Sequence, residues 1–154
     1  MVYFIKIIGK ENFMDIRFEN TISVEDFNYL RESVKWNAIE KKLALKGIEN
    51  ALFIVRAIIG GKTIGLTRVS GDGGYNIFIT DVIVLPEYQN KGIGKQLMTK
   101  AMNFINEKYL EKGQSIFVNL MSAKGRESFY KQFGFEERPN ETVGAGMSQW
   151  IKKE

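Results

Sequence analysis

The sequence predicts an α/β domain in which a mixed sheet carries helices. Three observations carry that prediction. Short apolar runs separated by glycine-rich turns fill the first half, the pattern of an antiparallel meander. The second half changes to strand, helix, strand, helix, strand, which calls for crossovers and a mixed sheet. A length of 154 residues suits one domain, residues 1–154, with one core.

In chain order, "VYFIKII" and "FMDIRFE" read as two strands joined by the polar turn "GKEN". "TISVEDFNYLRESVKW" offers Ser23 as N-cap with Asp26 three residues on, and Val24, Phe27, Leu30 and Val34 share one helical face. "NAIEKKLALKG" predicts a second, short helix ending at Gly47. "ALFIVRAII" and "TIGLTRV" then form a hairpin, because Gly60-Gly61 is the chemistry of a tight turn. "SGDGG" turns the chain again before "YNIFITDVIVL". From Gly92 to about Lys112, Ile93, Leu97, Ala101, Phe104 or Ile105, and Tyr109 mark one face of a long helix. "SIFVNLM" is a further strand. "SAKGRESFYKQFGF" predicts a helix capped by Ser122 that stops at Gly134, and "GAGMSQWIKK" predicts a last strand.

Composition narrows the chemistry. Apolar residues make up 44% and charged residues 26%, an ordinary globular balance. With no cysteine there is no disulfide, thiolate metal site or cysteine-bound acyl intermediate. With no histidine, the commonest general base and the Ser-His triad are absent too. Acid–base work must then fall to Asp, Glu, Tyr, Lys or water, and no metal site is expected. The opening "MVYFIKIIGK" is too short and too charged for a signal peptide, and no run approaches the roughly 20 apolar residues of a membrane span. A cytoplasmic location is the expectation. The net charge of +4 is spread along the chain without an aromatic-basic motif, so no nucleic-acid partner is expected.

The most informative stretch is "DVIVLPEYQNKGIGKQLM", Asp81 to Met98. A strand leads through Pro86 and a polar loop to two glycines at the head of a helix. Helix N-termini carry unpaired N–H groups and about half a positive charge. Gly92 and Gly94 let those amides approach an anion closely, and Lys91 and Lys95 add full charges, a combination suited to pyrophosphate. No Ser or Thr follows Lys95, which excludes the P-loop; the third glycine of the dinucleotide fingerprint is also missing.

In this context "VLPEYQNKGIGKQLM" resembles the acetyl-CoA motif of the GNAT superfamily of N-acetyltransferases, with Gln89-Asn90-Lys91-Gly92-Ile93-Gly94 as its core. "FYKQFGF", Phe129 to Phe135, is similar to a second element of that family at the expected distance. The resemblance spans nearly the whole chain. It implies a mixed central sheet of about six or seven strands with helices on both faces, "VYFIKII" being an extra strand. It implies acetyl-CoA as cosubstrate, its pantetheine arm paired with the backbone of Val82, Ile83 and Val84. Its pyrophosphate would sit on the amides of Asn90 to Lys95. The second substrate would be a primary amine, a small molecule in preference to a protein, and the enzyme a monomer or homodimer without metal or membrane partner. The family's frequent asparagine at the start of the following helix is Ala123 here, which removes that contact.

The resemblance also implies catalytic roles. Tyr130 matches the family's tyrosine, the acid that protonates the leaving thiolate, with a core tyrosine of an amphipathic helix as the competing reading; a phenol near 10 keeps its proton above a thiol near 8.5. The strand glutamate that serves some relatives as base is Val118 here. Asp81, a lone carboxylate in "IFITDVIVL", or an ordered water then takes the base role, with a structural aspartate as the competing reading. Asn119 is a candidate to orient that water. Lys124 and Arg126 are candidates for the cofactor phosphates, and Trp36, Met147 and Trp150 for the acceptor side; packing is the stronger reading for Trp36, and packing or solvation explains the others equally well. Without turnover, the same chain would be a CoA-binding sensor.

Overall fold

Alternating side chains need a ladder partner before they become a strand, and the chain supplies five such partners in succession. A computed structural model describes Ile5–Lys6 and residues 15–152. The elements are β1 (Ile5–Lys6), β2 (Asp15–Glu19), α1 (Val24–Ser33), α2 (Lys41–Glu49), β3 (Phe53–Ile59), β4 (Lys62–Gly71), β5 (Asn76–Val84), α3 (Ile93–Tyr109), β6 (Phe117–Leu120) and α4 (Glu127–Lys131). The strands form one sheet in the order β1-β2-β3-β4-β5-β6, and each pair from β1/β2 to β4/β5 is antiparallel. The predicted meander is therefore present. Of the expected strand "VYFIKII" only Ile5–Lys6 is described; its other residues and the "GKEN" turn lie outside the described residues.

The β3–β4 hairpin closes as its glycines require. Ile59 pairs with Lys62, and Gly60 and Gly61 both take positive φ, 54° and 82°, the two-residue turn that matches strand twist. β4 is buried without interruption from Thr63 to Thr67, so the sheet is covered on both faces there. β5 instead alternates, with Ile77, Ile79, Asp81 and Ile83 buried. α1 and α3 both pack on these two strands. Ser23 caps α1 by accepting the Asp26 N–H at 3.0 Å, and Phe27 and Leu30 are its buried residues. Along α3 the buried face is Ile93, Leu97, Met98, Ala101 and Ile105. Phe104 instead stacks on Phe53 at 4.5 Å between ring centroids.

Close packing at the sheet–helix junction depends on one small residue. A Cβ at Gly65 of β4 would stand 3.0 Å from the Ile83 carbonyl oxygen and 3.0 Å from Leu97 Cδ1. Neither the β5 backbone nor a fully buried leucine has room to move. Gly65→Val is expected to cost about 1–3 kcal/mol by overpacking, read as a lowered urea midpoint at unchanged slope.

Three expectations are corrected. α2 does not end at Gly47 but continues to Glu49, because the Asn50 side chain caps it by donating to the Lys46 carbonyl at 2.8 Å. α4 is shorter than expected and Ser122 does not cap it. Ser122 Oγ donates to the Ala123 carbonyl, Gly125 breaks the path at φ 81°, and the helix starts after Arg126. Residues 144–152 form no strand, since alternation without a ladder leaves exposed side chains such as Met147 and Trp150. Among the described residues the sheet accordingly has six strands, the lower of the expected counts.

By compactness the chain divides into residues 1–118 and 119–154. The first holds the meander and α1 to α3; the second holds α4 and an aromatic cluster. Among the described residues, no helix is long and apolar enough to cross a membrane.

Candidate active site

Within residues 1–118 the loop after β5 is tightly built. Pro86–Tyr88 make one 3-10 turn, with the Tyr88 N–H on the Leu85 carbonyl at 2.8 Å. The Gln89 side chain then reaches back and donates to the Val84 carbonyl at 2.9 Å. Two left-handed residues follow, Asn90 at φ 60° and Gly92 at φ 79°, and they swing the backbone into α3. Asparagine tolerates that region through its short polar side chain; glycine has no Cβ to oppose it. At Gly92 a Cβ would meet nothing within 4 Å, so packing does not demand glycine there. Its backbone angle does, and the space before the helix stays open.

The N-terminus of α3 has no side-chain cap and no acid in its first turn. Its leading N–H groups, from Ile93 to Lys95, therefore face that space with the positive end of a helix of 17 residues behind them. Lys91 Nζ lies 5.4 Å from the Tyr88 ring centroid, a cation–π contact beside the same opening. Lys95 is exposed one position beyond Gly94. An uncapped helix start, two lysines and a glycine with open space supply the N–H donors and charge that an anionic diphosphate needs, so the residues present fit pyrophosphate.

The strand leading in is irregular at one point. Leu66 pairs with Ile83 and Arg68 with Thr80, so Asp81 and Val82 together oppose Thr67 in a β-bulge. Asp81 sits in this bulge at φ 52° and is 5% exposed. Its Oδ1 accepts from Arg31 Nη1 at 2.8 Å and its Oδ2 from Arg68 Nε at 2.8 Å. Arg31 Nε also donates to the Asn37 carbonyl at 3.0 Å, and Arg68 Nη1 to the Gly47 carbonyl at 2.8 Å. The Arg31 guanidinium lies 5.6 Å from the Phe27 ring centroid and 5.4 Å from that of Trp36. Both carboxylate oxygens are thus engaged by guanidiniums, as a structural aspartate would have them.

Sequence reasoning missed Arg31 and Arg68. The signal for Arg68 was present: it is a lone charge in the apolar strand "TIGLTRV", facing a lone carboxylate in the next. Arg56 in "FIVRAII" carried the same signal yet serves another network, with Asp26 at 2.9 Å and Glu19 at 2.7 Å.

Within residues 119–154, Tyr130 lies on α4 and is buried. Its ring meets Phe129 edge-on at 5.0 Å and Phe135 at 6.4 Å, and Phe129 in turn meets Phe133 at 5.7 Å. The Phe133 N–H donates to the Tyr130 carbonyl at 2.9 Å, and Gly134, at φ 85°, turns the chain away. Burial raises the Tyr130 phenol above its ordinary range, with Arg126 acting weakly the other way. Among the described residues no cluster of acids suits a metal ion.

Residues 49–137 match the acetyltransferase (GNAT) domain. This chain belongs to the GNAT superfamily. A probable acetyltransferase of unknown function from meticillin-resistant Staphylococcus aureus is 32% identical, with a TM-score of 0.78 over 90% of this chain and 99% of that one. A GNAT-family acetyltransferase from Streptococcus pneumoniae is 31% identical, with a TM-score of 0.68 over 92% and 99% of the two chains. The uncharacterized N-acetyltransferase ycf52 of Pyropia yezoensis is 26% identical over 90% of this chain and 80% of its own length. As a GNAT protein the chain is an acyltransferase enzyme, and the fold it shares with its relatives binds acetyl-CoA.

Gly92→Asp sets a carboxylate where the anion would rest, while aspartate is among the residues that best tolerate both an N-cap and a positive φ. Acetyl-CoA affinity is expected to fall at least about tenfold, or 1.4 kcal/mol. The positive φ at Gly92 lowers the thermal midpoint as well; a melting curve reads that loss, and calorimetry on the folded protein reads the affinity.

Proposed function

We propose that this GNAT enzyme moves the acetyl group of acetyl-CoA directly onto a primary amine, a small molecule in preference to a protein. The open, uncapped start of α3 at Gly92 is the observation that carries the reading, because it suits the pyrophosphate of that donor. The loop residues Gln89 to Lys95 hold the donor and the backbone of Val82 to Val84 aligns its pantetheine arm. Gln89 contributes indirectly, by fixing the Val84 carbonyl at the end of that strand.

The neutral amine attacks the thioester carbonyl, a C–N bond forms, and the C–S bond breaks as the tetrahedral intermediate collapses. Tyr130 gives its phenolic proton to the departing thiolate, and the nitrogen releases its proton to an ordered water. Proton exchange with solvent restores the phenol, leaving free CoA thiol and an amide. Water is preferred over Asp81 as base because both oxygens of Asp81 already accept from arginines. A chain without cysteine has no thiol to carry an acyl intermediate, which favours direct transfer.

Thiol release from acetyl-CoA over a panel of polyamines, amino sugars, aminoglycosides and amino-acid derivatives tests the proposal. Saturable release with one small amine and acetylation of its nitrogen are expected. Acetylation confined to protein or peptide amines would overturn the small-molecule assignment.

A further inference from the structure

The bulge in β5 is held from outside the strand. A non-glycine residue at positive φ is strained and persists only where its surroundings fix it. Here the fixing groups are visible. Arg31 comes from α1 and Arg68 from β4; each puts a 2.8 Å charge-assisted bond on a different oxygen of the same carboxylate. The side chains are 11%, 19% and 3% exposed for Arg31, Arg68 and Asp81, so water competes little. Each arginine is also anchored at its far side, Arg31 on the Asn37 carbonyl and Arg68 on the Gly47 carbonyl. The aromatic rings of Phe27 and Trp36 limit where the Arg31 guanidinium can go. The α1–α2 segment is therefore tied through two guanidiniums to the residue immediately before Val82.

The geometry points to Asp81 as a positioning residue: the Arg31–Asp81–Arg68 clamp sets the bulge from which Val82 to Val84 enter the donor site, and so links α1–α2 to that strand. The catalytic half of this inference rests on the acetyl-transfer reading above; the conformational half does not. An unclamped residue at this position would relax from positive φ, restore the ladder with β4, and shift Val82 to Val84 by one register step. Such a step turns every side chain to the opposite face. Donor affinity would survive through the α3 loop, while alignment of the acyl end would not.

The test compares wild type with Arg31→Lys and Asp81→Asn. Arg31→Lys keeps the positive charge and loses the planar fork that bridges Asp81 and Asn37. In the free protein, amide hydrogen exchange at Asp81 to Val84 is measured against Ile77 to Ile79 of the same strand, which removes any global change in stability. In Arg31→Lys the ratio should rise at least about fivefold, kcat should fall at least about tenfold, and the acetyl-CoA Kd should change less than about threefold. Asp81→Asn, if it folds, should move the same quantities in the same direction.

Full activity in Arg31→Lys with an inactive Asp81→Asn would make Asp81 a base and overturn the inference. An unchanged exchange ratio in Arg31→Lys would overturn it as well. Uniformly faster exchange along β5 with unchanged kcat would reduce the cluster to a stabilising ion pair, a third contrary result. Should wild type transfer to no amine, the acetyl-transfer reading fails separately, and the exchange ratio alone still decides whether the clamp sets the bulge.

Discussion

Tyr130→Phe is expected to lower turnover by about 10²–10⁴-fold, the usual contribution of a positioned acid, while the acetyl-CoA Kd stays within about threefold. The substitution removes one oxygen and leaves the ring that meets Phe129 and Phe135. α4 and its aromatic cluster should therefore persist, and the far-ultraviolet spectrum should not change. Burial raises the phenol above its ordinary pKa, so Tyr130 stays a proton donor throughout the neutral range. An unfolded tyrosine ionises near pH 10, whereas the folded one keeps its proton to higher pH. The Tyr130 contribution is intact below about pH 10 and is lost as the pH rises from there through the folded pKa. Tyr130→Phe should remove that alkaline component. Single-turnover rates together with calorimetry check the assignment, and equal turnover in mutant and wild type would remove it.

Asp81→Ala is expected to destabilise the protein by about 3–5 kcal/mol, the cost of removing one partner from a buried ion pair. Two guanidiniums would be left facing each other across the vacated site, both largely withdrawn from water. Alanine also tolerates the left-handed backbone at position 81 less well than aspartate does. Against a typical total stability of about 5–15 kcal/mol, this loss would unfold a measurable fraction at ordinary temperature. Urea denaturation reads it directly, and a change under about 1 kcal/mol would mean that water screens the cluster far more than its burial implies.

Much of the fold was legible because local and long-range preferences agree. The glycine pair at 60–61 takes positive φ in the tight hairpin, and the apolar rows of α1 and α3 pack on the sheet. The α3 loop was legible for a related reason: Gly92 is a backbone requirement, written in the residue itself. Asp81 was visible only as a lone charge. Its pairing with Arg68 and not Arg56 depends on strand order, which sets β4 and not β3 beside β5, and the bulge opposite Thr67 that fixes the register is a product of the assembled sheet. Arg31 is beyond local reading, since 50 residues separate it from Asp81. "GAGMSQWIKK" misled in the opposite direction, with strand-like alternation but no ladder to join. Ser122 misled because Gly125 intervenes before the helix can start.

Titration calorimetry of the wild-type enzyme with acetyl-CoA and with acetyl-pantetheine decides whether the loop from Gln89 to Lys95 holds the pyrophosphate of acetyl-CoA. The two ligands share the acyl arm and differ by the nucleotide and its phosphates. Saturable binding of acetyl-CoA, with acetyl-pantetheine weaker by at least about 100-fold (2.7 kcal/mol), is the predicted result. Equal affinity for the two, or no binding of acetyl-CoA at millimolar concentration, would contradict it.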